Sequence, residues 1–119
     1  MATIMINGSE YTLARNLRVA YELQGQHNHK PYSQILSNVG EMTLEEQLDM
    51  LYIAFKIQNP EEARTFTKEM FRKYILDHDE FNVSVIMELI MDIIAGILGQ
   101  DITKNVDADA SSESVEVKN

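Results

Sequence analysis

The stretch from Val83 to Leu98 constrains the fold of this chain more than any other part of the sequence. At helical periodicity its apolar side chains cover most of the circumference, and polar or small residues recur on one narrow line: Ser84, Glu88, Asp92, Gly96 and Gln100. A helix that is apolar nearly all round must be buried nearly all round. The stretch is too short for a bilayer, and two acids lie near its middle, so it predicts a core helix.

The first dozen residues have the pattern of a β-hairpin. Apolar side chains alternate along the chain on both sides of Asn7-Gly8, at Ile4, Ile6, Tyr11 and Leu13. Asn and Gly favour the positive φ values that a two-residue hairpin turn requires. Because a lone hairpin is marginal in water, this one is expected to lie on the helices that follow.

Two helices are expected before residue 41. The first is predicted from about Ala14 to Gln24 and ends at Gly25. Three residues form its predicted buried face: Leu17, Ala20 and Tyr21. The second begins near Pro31, which suits a first helical position, and ends at Gly40. Its predicted buried residues are Ile35, Leu36 and Val39.

A stronger helix signal follows at Thr43 and Glu46, which have the spacing of a capping box. The Thr hydroxyl caps one backbone amide and the Glu carboxylate reaches back to another. Behind this box, five apolar residues recur at helical spacing: Leu44, Leu48, Leu51, Tyr52 and Phe55. Asn59 and Pro60 then favour the start of a further helix, with Asn59 as its N-cap.

The helix that starts at Pro60 is predicted to run without a break past Tyr74. Its predicted buried stripe consists of Ala63, Phe66, Met70 and Tyr74, flanked by Phe71 and Ile75. Its outer face carries four of the ten basic residues of the chain: Arg64, Lys68, Arg72 and Lys73. Such a face is usually solvated or paired with acids of the same domain, although it could also contact phosphate.

These patterns together predict a mainly α fold. Residues 1–100 form a small domain of about five helices with a short N-terminal β-hairpin. Residues 101–119 are polar, acidic and free of aromatic side chains, which predicts a disordered acidic C-terminal tail. A hydrophobic fraction of 45% is sufficient for a core without metal ions or disulfides.

Composition also excludes several classes of function. The chain has no cysteine, which rules out thiol catalysis and thiolate metal sites and is consistent with a reducing cytoplasm. Its N-terminus lacks the basic region and long apolar run of a signal peptide, and no segment is long enough to span a bilayer. A net charge of −9 opposes nucleic-acid binding. We therefore expect a cytoplasmic protein without nucleic-acid or membrane partners.

Two clusters of titratable residues are candidate metal or catalytic sites. His27 and His29 could share a metal ion, but no further ligand lies nearby, which favours an ordinary surface loop. The stretch Asp77–Glu80 lacks the alternating oxygen ligands and the glycine of a calcium loop, which favours a turn before a helix capped by Asn82. No phosphate loop or nucleophile elbow is recognisable, so we predict no catalytic residue, cofactor or metal.

Apolar surface on the last helix predicts a partner-binding site. No domain of about five helices easily covers every side of one helix, so part of this surface is expected to form a self-association or client interface. The candidate residues are Val85, Ile86, Met87, Leu89, Ile90, Met91, Ile94 and Leu98. Flexible thioethers at Met87 and Met91 suit a surface that re-packs against partners, and a core that contains methionine is the equally good alternative.

The order of the parts carries a family resemblance over residues 1 to about 100. A hairpin with the sequence Ile-Met-Ile-Asn-Gly-Ser-Glu-Tyr-Thr-Leu precedes Leu-Arg-Val-Ala-Tyr-Glu-Leu, then Thr-Leu-Glu-Glu-Gln-Leu-Asp-Met-Leu-Tyr-Ile-Ala-Phe, then a hydrophobic helix and an acidic tail. This layout resembles the tail assembly chaperones of long-tailed bacteriophages and of prophages of Gram-positive bacteria. The resemblance implies a protein that coats the tape measure protein, helps recruit tail tube subunits, and is absent from the finished virion. It implies no active site.

Many members of that family are also made in a longer form by programmed ribosomal frameshifting near the end of the gene. A slippery heptamer such as A-AAA-AAC encodes Lys-Asn, a dipeptide that occurs here at Lys104-Asn105 and Lys118-Asn119. One of these pairs, preferably the second, is a candidate slip site. The tail would then be a flexible tether to an extension domain.

Two rival functions stay open at the level of sequence. The negative charge also permits a small acidic protein that mimics nucleic acid and inhibits a DNA-binding enzyme. An unrecognised enzyme is the second rival. A very long helical open reading frame immediately downstream of the gene would favour the chaperone over both.

Truncation after Gln100 tests the predicted tail. The free energy of unfolding should change by less than about 1 kcal/mol, because no apolar stripe ties residues 101–119 to the domain. Urea unfolding of the truncated and full-length chains measures this difference. A larger loss would mean that the tail packs on the domain.

Overall fold

The computed structural model describes residues 2–26 and 28–99 of the chain. Within these ranges the fold is mainly helical, as predicted, with a two-stranded antiparallel hairpin before six helices. The strands are β1 (Thr3–Ile6) and β2 (Ser9–Thr12). The helices are α1 (Leu17–Gln26), α2 (Tyr32–Ser37), α3 (Leu44–Gln58), α4 (Pro60–Ala63), α5 (Lys68–Asp77) and α6 (Val83–Ile97), and a 3₁₀ turn at Val39–Glu41 follows α2. The predicted tail and both Lys-Asn pairs lie outside the described residues.

The predicted hairpin is confirmed, and its turn is Asn7-Gly8. Both turn residues have positive φ, 53° for Asn7 and 83° for Gly8, as a two-residue turn between twisted strands requires. Ile4 and Ile6 are buried against the helices. The Asn7 amide also donates a hydrogen bond of 2.9 Å to the hydroxyl of Tyr74 on α5. The hairpin is therefore held at its tip as well as along its apolar face.

Helix α1 begins three residues later than predicted. The side chain of Asn16 accepts a hydrogen bond of 3.2 Å from the Arg18 amide, so Asn16 caps a helix that starts at Leu17. The predicted buried face is correct for Ala20 but wrong for Leu17 and Tyr21, which are 66% and 69% exposed. The buried residues of α1 are Val19, Ala20 and Leu23.

The connection from α1 to α3 also differs in detail from the prediction. Gly25 lies inside α1, and the His29 amide donates to the Gln24 carbonyl (2.8 Å) as the chain leaves the helix. The second predicted helix is split into α2 and the 3₁₀ turn. Ile35 and Leu36 are buried as predicted, whereas Val39 is only half-buried.

Helix α3 is the central element of the domain. Its capping box is present as predicted: the Thr43 amide donates to Glu46 Oε1 (2.8 Å), and the Glu46 amide donates to Thr43 Oγ1 (3.1 Å). All six residues from Met50 to Phe55 are buried, which covers the whole circumference of the helix. Burial on nearly all sides was expected of the last helix, and the structure shows it for this segment of α3 instead.

A cluster of aromatic rings surrounds Phe55 on α3. Its ring centroid lies 5.5 Å from that of Tyr11, 5.6 Å from Phe71 and 6.0 Å from Phe66. Such pairs contribute about 0.5–1.5 kcal/mol each beyond the area that they bury. Tyr52 joins the cluster and donates from its hydroxyl to the Phe66 carbonyl (2.8 Å), and burial raises the pKa of its phenol. The cluster ties β2 and α5 to α3.

The prediction of one unbroken helix after Pro60 is wrong. The chain forms α4, a short irregular turn and then α5, because the hydroxyl of Thr67 caps a new helix by accepting from the Met70 amide (3.3 Å). The restart rotates the buried face, so Met70 is exposed and the buried residues of α5 are Phe71 and Ile75.

Asn59 is at the N-cap position of α4 and Pro60 begins the helix, as predicted. Its side chain makes no capping hydrogen bond to α4. Its amide group instead donates to two backbone carbonyls, those of Thr12 (2.9 Å) and Phe55 (3.1 Å). Asn59 thus links the end of β2 to the end of α3.

Helix α6 starts at the predicted cap, where the Asn82 side chain accepts from the Val85 amide (3.0 Å). Two residues of the predicted polar line of α6, Asp92 and Gly96, contact Arg15 in the segment before α1. The guanidinium of Arg15 lies 3.0 Å from the Asp92 carboxylate and also donates to the Asp92 carbonyl (3.1 Å). A Cβ at Gly96 would lie 2.4 Å from Arg15 Cβ, so glycine permits this close approach.

Within the described residues no helix is long and apolar enough to cross a membrane.

Replacement of Gly96 by alanine tests this contact. Because the new methyl would overlap the Cβ and carbonyl of Arg15, Gly96→Ala should lower the free energy of unfolding by about 1–3 kcal/mol. Gly25→Ala is the matched control, since Gly25 is also helical and has open space around it. It should be neutral or stabilise by about 0.5–1 kcal/mol. Equal stability of the two variants in urea would contradict the Arg15 contact.

Candidate functional site

The eight residues predicted to bind partners occupy three different environments on α6. Ile86, Ile90 and Ile94 face the core of the domain and are buried. Three others are half-buried: Val85, Met87 and Leu89. Met91 and Leu98 are 44% and 52% exposed. An interface on the surface of this domain would therefore use the exposed members of the set, while the three isoleucines hold α6 against its neighbours.

Four apolar residues that are exposed or half-buried lie on the outside of α6 and at its C-terminal end, and we call them the α6 face: Val83, Met87, Met91 and Leu98. The first three are four residues apart and fall within an arc of about 80°, whereas Leu98 is the C-cap residue, two turns after Met91. Val83, at 77% the most exposed of them, was missed by sequence reasoning because it is the first residue of the helix and has no apolar neighbour one turn before it. The face is bordered by exposed Ser84 and Glu88.

Methionine supplies the middle of the α6 face. Its unbranched thioether changes rotamer at low cost, so it can re-pack against differently shaped surfaces. The two roles weighed for methionine from sequence both occur in this domain: Met50 is fully buried in the core, whereas Met91 is exposed on α6. The role of each methionine is thus set by position and not by residue type.

The basic face predicted between Arg64 and Lys73 is largely neutralised by acids of the same domain. Arg72 forms ion pairs with Asp49 and with Glu45 (3.4 Å), and the hydrogen bonds that it donates to Asp49 raise the pKa of its guanidinium. The carboxylate of Asp77 lies 2.9 Å from the Lys73 ammonium and raises its pKa. Because Arg72 and Lys73 are paired with acids, α5 does not present a row of unpaired cations.

The candidate metal and acid–base residues are dispersed or otherwise engaged. His27 lies outside the described residues, and His29 is exposed. His78 stacks on the ring of Tyr74, with 3.8 Å between centroids, and its Nδ1 lies 2.7 Å from the Tyr74 carbonyl. Within residues 2–26 and 28–99, no three acids or histidines come together in a group that could hold a metal ion.

Comparison with known proteins gives no relative for this chain. No family model, no curated protein and no solved structure matches it. The features that bear on its function are therefore those of its own surface. Of these, the α6 face is the one that the sequence also indicated.

Sedimentation velocity tests whether the α6 face mediates self-association. The chain should associate reversibly as its concentration rises, and Met91→Asp should raise the dissociation constant at least about tenfold, because it places a charge in an apolar contact. Met70→Asp is the control, since Met70 is similarly exposed but lies on α5. A chain that stays monomeric alone and with a client would contradict an interface on α6.

Proposed function

We propose that this chain is a phage tail assembly chaperone that binds the tape measure protein and helps recruit tail tube subunits during tail morphogenesis. The observation that carries the proposal is the α6 face, a set of apolar side chains that the domain leaves at least partly exposed on the outside of α6. The resemblance in layout supports the same function. The proposed place of action is the cytoplasm of the host bacterium, and the protein is absent from the mature virion.

The shape of the α6 face suits a helical client. A stripe of side chains at i, i+4 and i+8 packs against a second helix by the same spacing that joins helices within a domain. A tape measure protein is a very long helix with apolar side chains that must be kept from aggregating. Several chaperones side by side would cover such a client.

Weak individual contacts are an advantage in this function. Met87 is already half-buried within its own domain, so each copy gains only a few kcal/mol from covering the α6 face. Many such contacts along one client hold it firmly as a set, and each copy can still be displaced when tube subunits arrive. The net charge of −9 also keeps free copies soluble.

The acidic decoy is supported less well by the same surface. A protein that mimics nucleic acid needs rows of unpaired carboxylates that stand in for phosphates. Asp49 and Asp77 are paired with Arg72 and Lys73, and Asp92 is paired with Arg15. These acids stabilise the domain and are not presented as a phosphate-like row.

Co-expression with the client tests the proposal. The gene for this chain should lie immediately upstream of a very long open reading frame that encodes a helical protein, the client. When the client and this chain are expressed together, the client should become soluble and co-purify with this chain. Met91→Asp should abolish co-purification because it puts a charge into the apolar contact, and Met70→Asp should retain it. The proposal fails if no such reading frame exists, or if the client is insoluble with and without this chain.

A further inference from the structure

A groove separate from the α6 face crosses the surface above α3. It has a volume of about 670 Å³, and its walls are α1 on one side and the chain from α4 to the start of α5 on the other. No residue of α6 lines it. A groove with a helical floor and a wall on either side is the shape that accepts a further helix or an extended segment.

The floor of the groove is apolar. Ile53 and Ile57 of α3 lie along its length, with Ala63 at one side. Tyr52 completes it, and its hydroxyl is turned inward to the carbonyl of Phe66 (2.8 Å), so the ring presents hydrocarbon to the groove. Tyr52 and Ile53 are buried in α3, so their positions are set by the core and less entropy is lost on binding at this place.

The rim of the groove is basic although the chain is acidic. Four cations line it against the single acid Glu22: Arg18, Lys56, Arg64 and Lys68. Arg18 lies 3.8 Å from Glu22 and Lys68 lies 4.0 Å from Asp49, whereas Arg64 forms a closer pair with Glu61 (3.2 Å) in which both side chains are highly exposed. Lys56 has no ion-pair partner among the described residues. Exposed pairs of this kind are exchanged easily for pairs with a ligand.

We propose that this groove binds an acidic amphipathic segment of another protein. Apolar side chains of the segment would cover Ile53 and Ile57, and carboxylates on its two flanks would pair with Lys56 and Arg64. The apolar floor argues against a nucleic acid, whose phosphates would gain nothing from it, and the net charge of −9 would repel a long polyanion. The groove is independent of the α6 face, so the two surfaces can hold different partners, or two parts of one partner.

Binding of designed peptides tests the proposal. The probe is a fluorescein-labelled helical peptide of about four turns, with Leu at i, i+3, i+4 and i+7 and Glu on both flanks. Fluorescence anisotropy with the full-length chain should show binding that weakens between about 50 and about 300 mM salt. A peptide with Lys in place of Glu, and one with Ser in place of Leu, should each bind at least about tenfold more weakly.

Charge reversal locates the site. Lys56→Glu with Arg64→Glu should weaken binding of the acidic peptide at least about tenfold. The matched control, Lys30→Glu with Lys73→Glu, changes the net charge equally and also breaks one exposed helical ion pair, but lies outside the groove. It should bind nearly as well as the unmodified chain.

Four results would overturn the proposal. Two concern the peptides: the Glu and Lys peptides bind this chain equally well, or the Leu and Ser peptides do. The third is an equal loss of peptide affinity in the two double variants. The fourth is displacement of the probe by a competitor of another class. A dT oligonucleotide of about 15 nucleotides that competes better than unlabelled probe would assign the groove to nucleic acid. If a peptide of residues 101–119 competes better than unlabelled probe, the groove is assigned to the tail of this chain.

Discussion

Burial of the middle of α3, from Met50 to Phe55, is the constraint on which the rest of this structure depends. The hairpin strand β2 and helices α1, α4, α5 and α6 all contact α3. Phe55 lies at the centre of the aromatic cluster, and the Ala54 carbonyl accepts from the Ala14 amide (3.0 Å), so side chains and backbone of α3 both position the chain around it. A helix in this position has to be apolar all round, as the run from Met50 to Phe55 is.

The central place of α3 leaves α6 at the side of the domain. One half of α6 packs inward through Ile86, Ile90 and Ile94, and the C-terminal part of its polar line is covered by Arg15. The remaining apolar stripe has no neighbour within the described domain that buries it fully. The same geometry explains the groove, because α1 and α4 lean against α3 from two sides and leave its surface at Ile57 open between them.

Two surfaces of opposite character follow from this arrangement. The α6 face is apolar and rich in methionine, which suits a contact of modest strength with several shapes of partner. The groove above α3 combines an apolar floor with a basic rim, which suits a narrower class of partner and a contact that depends on salt. The proposed function would use both, since one surface can hold the client while the other receives a second component.

The sequence by itself determined the elements whose signals are local. The Asn7-Gly8 turn, the Thr43–Glu46 capping box and the Asn82 cap could all be predicted, because each depends on hydrogen bonds or φ values within four residues. The break at Thr67 was missed because the run of apolar residues across it looked continuous, and the site on α6 could be predicted only as a helix and not as a face. The tertiary structure alone decided three things. They are which apolar helix is central, which side of α6 stays exposed, and which basic residues lie around the groove. The physical reason is that burial depends on contacts between residues far apart in the chain, and helical periodicity does not specify them.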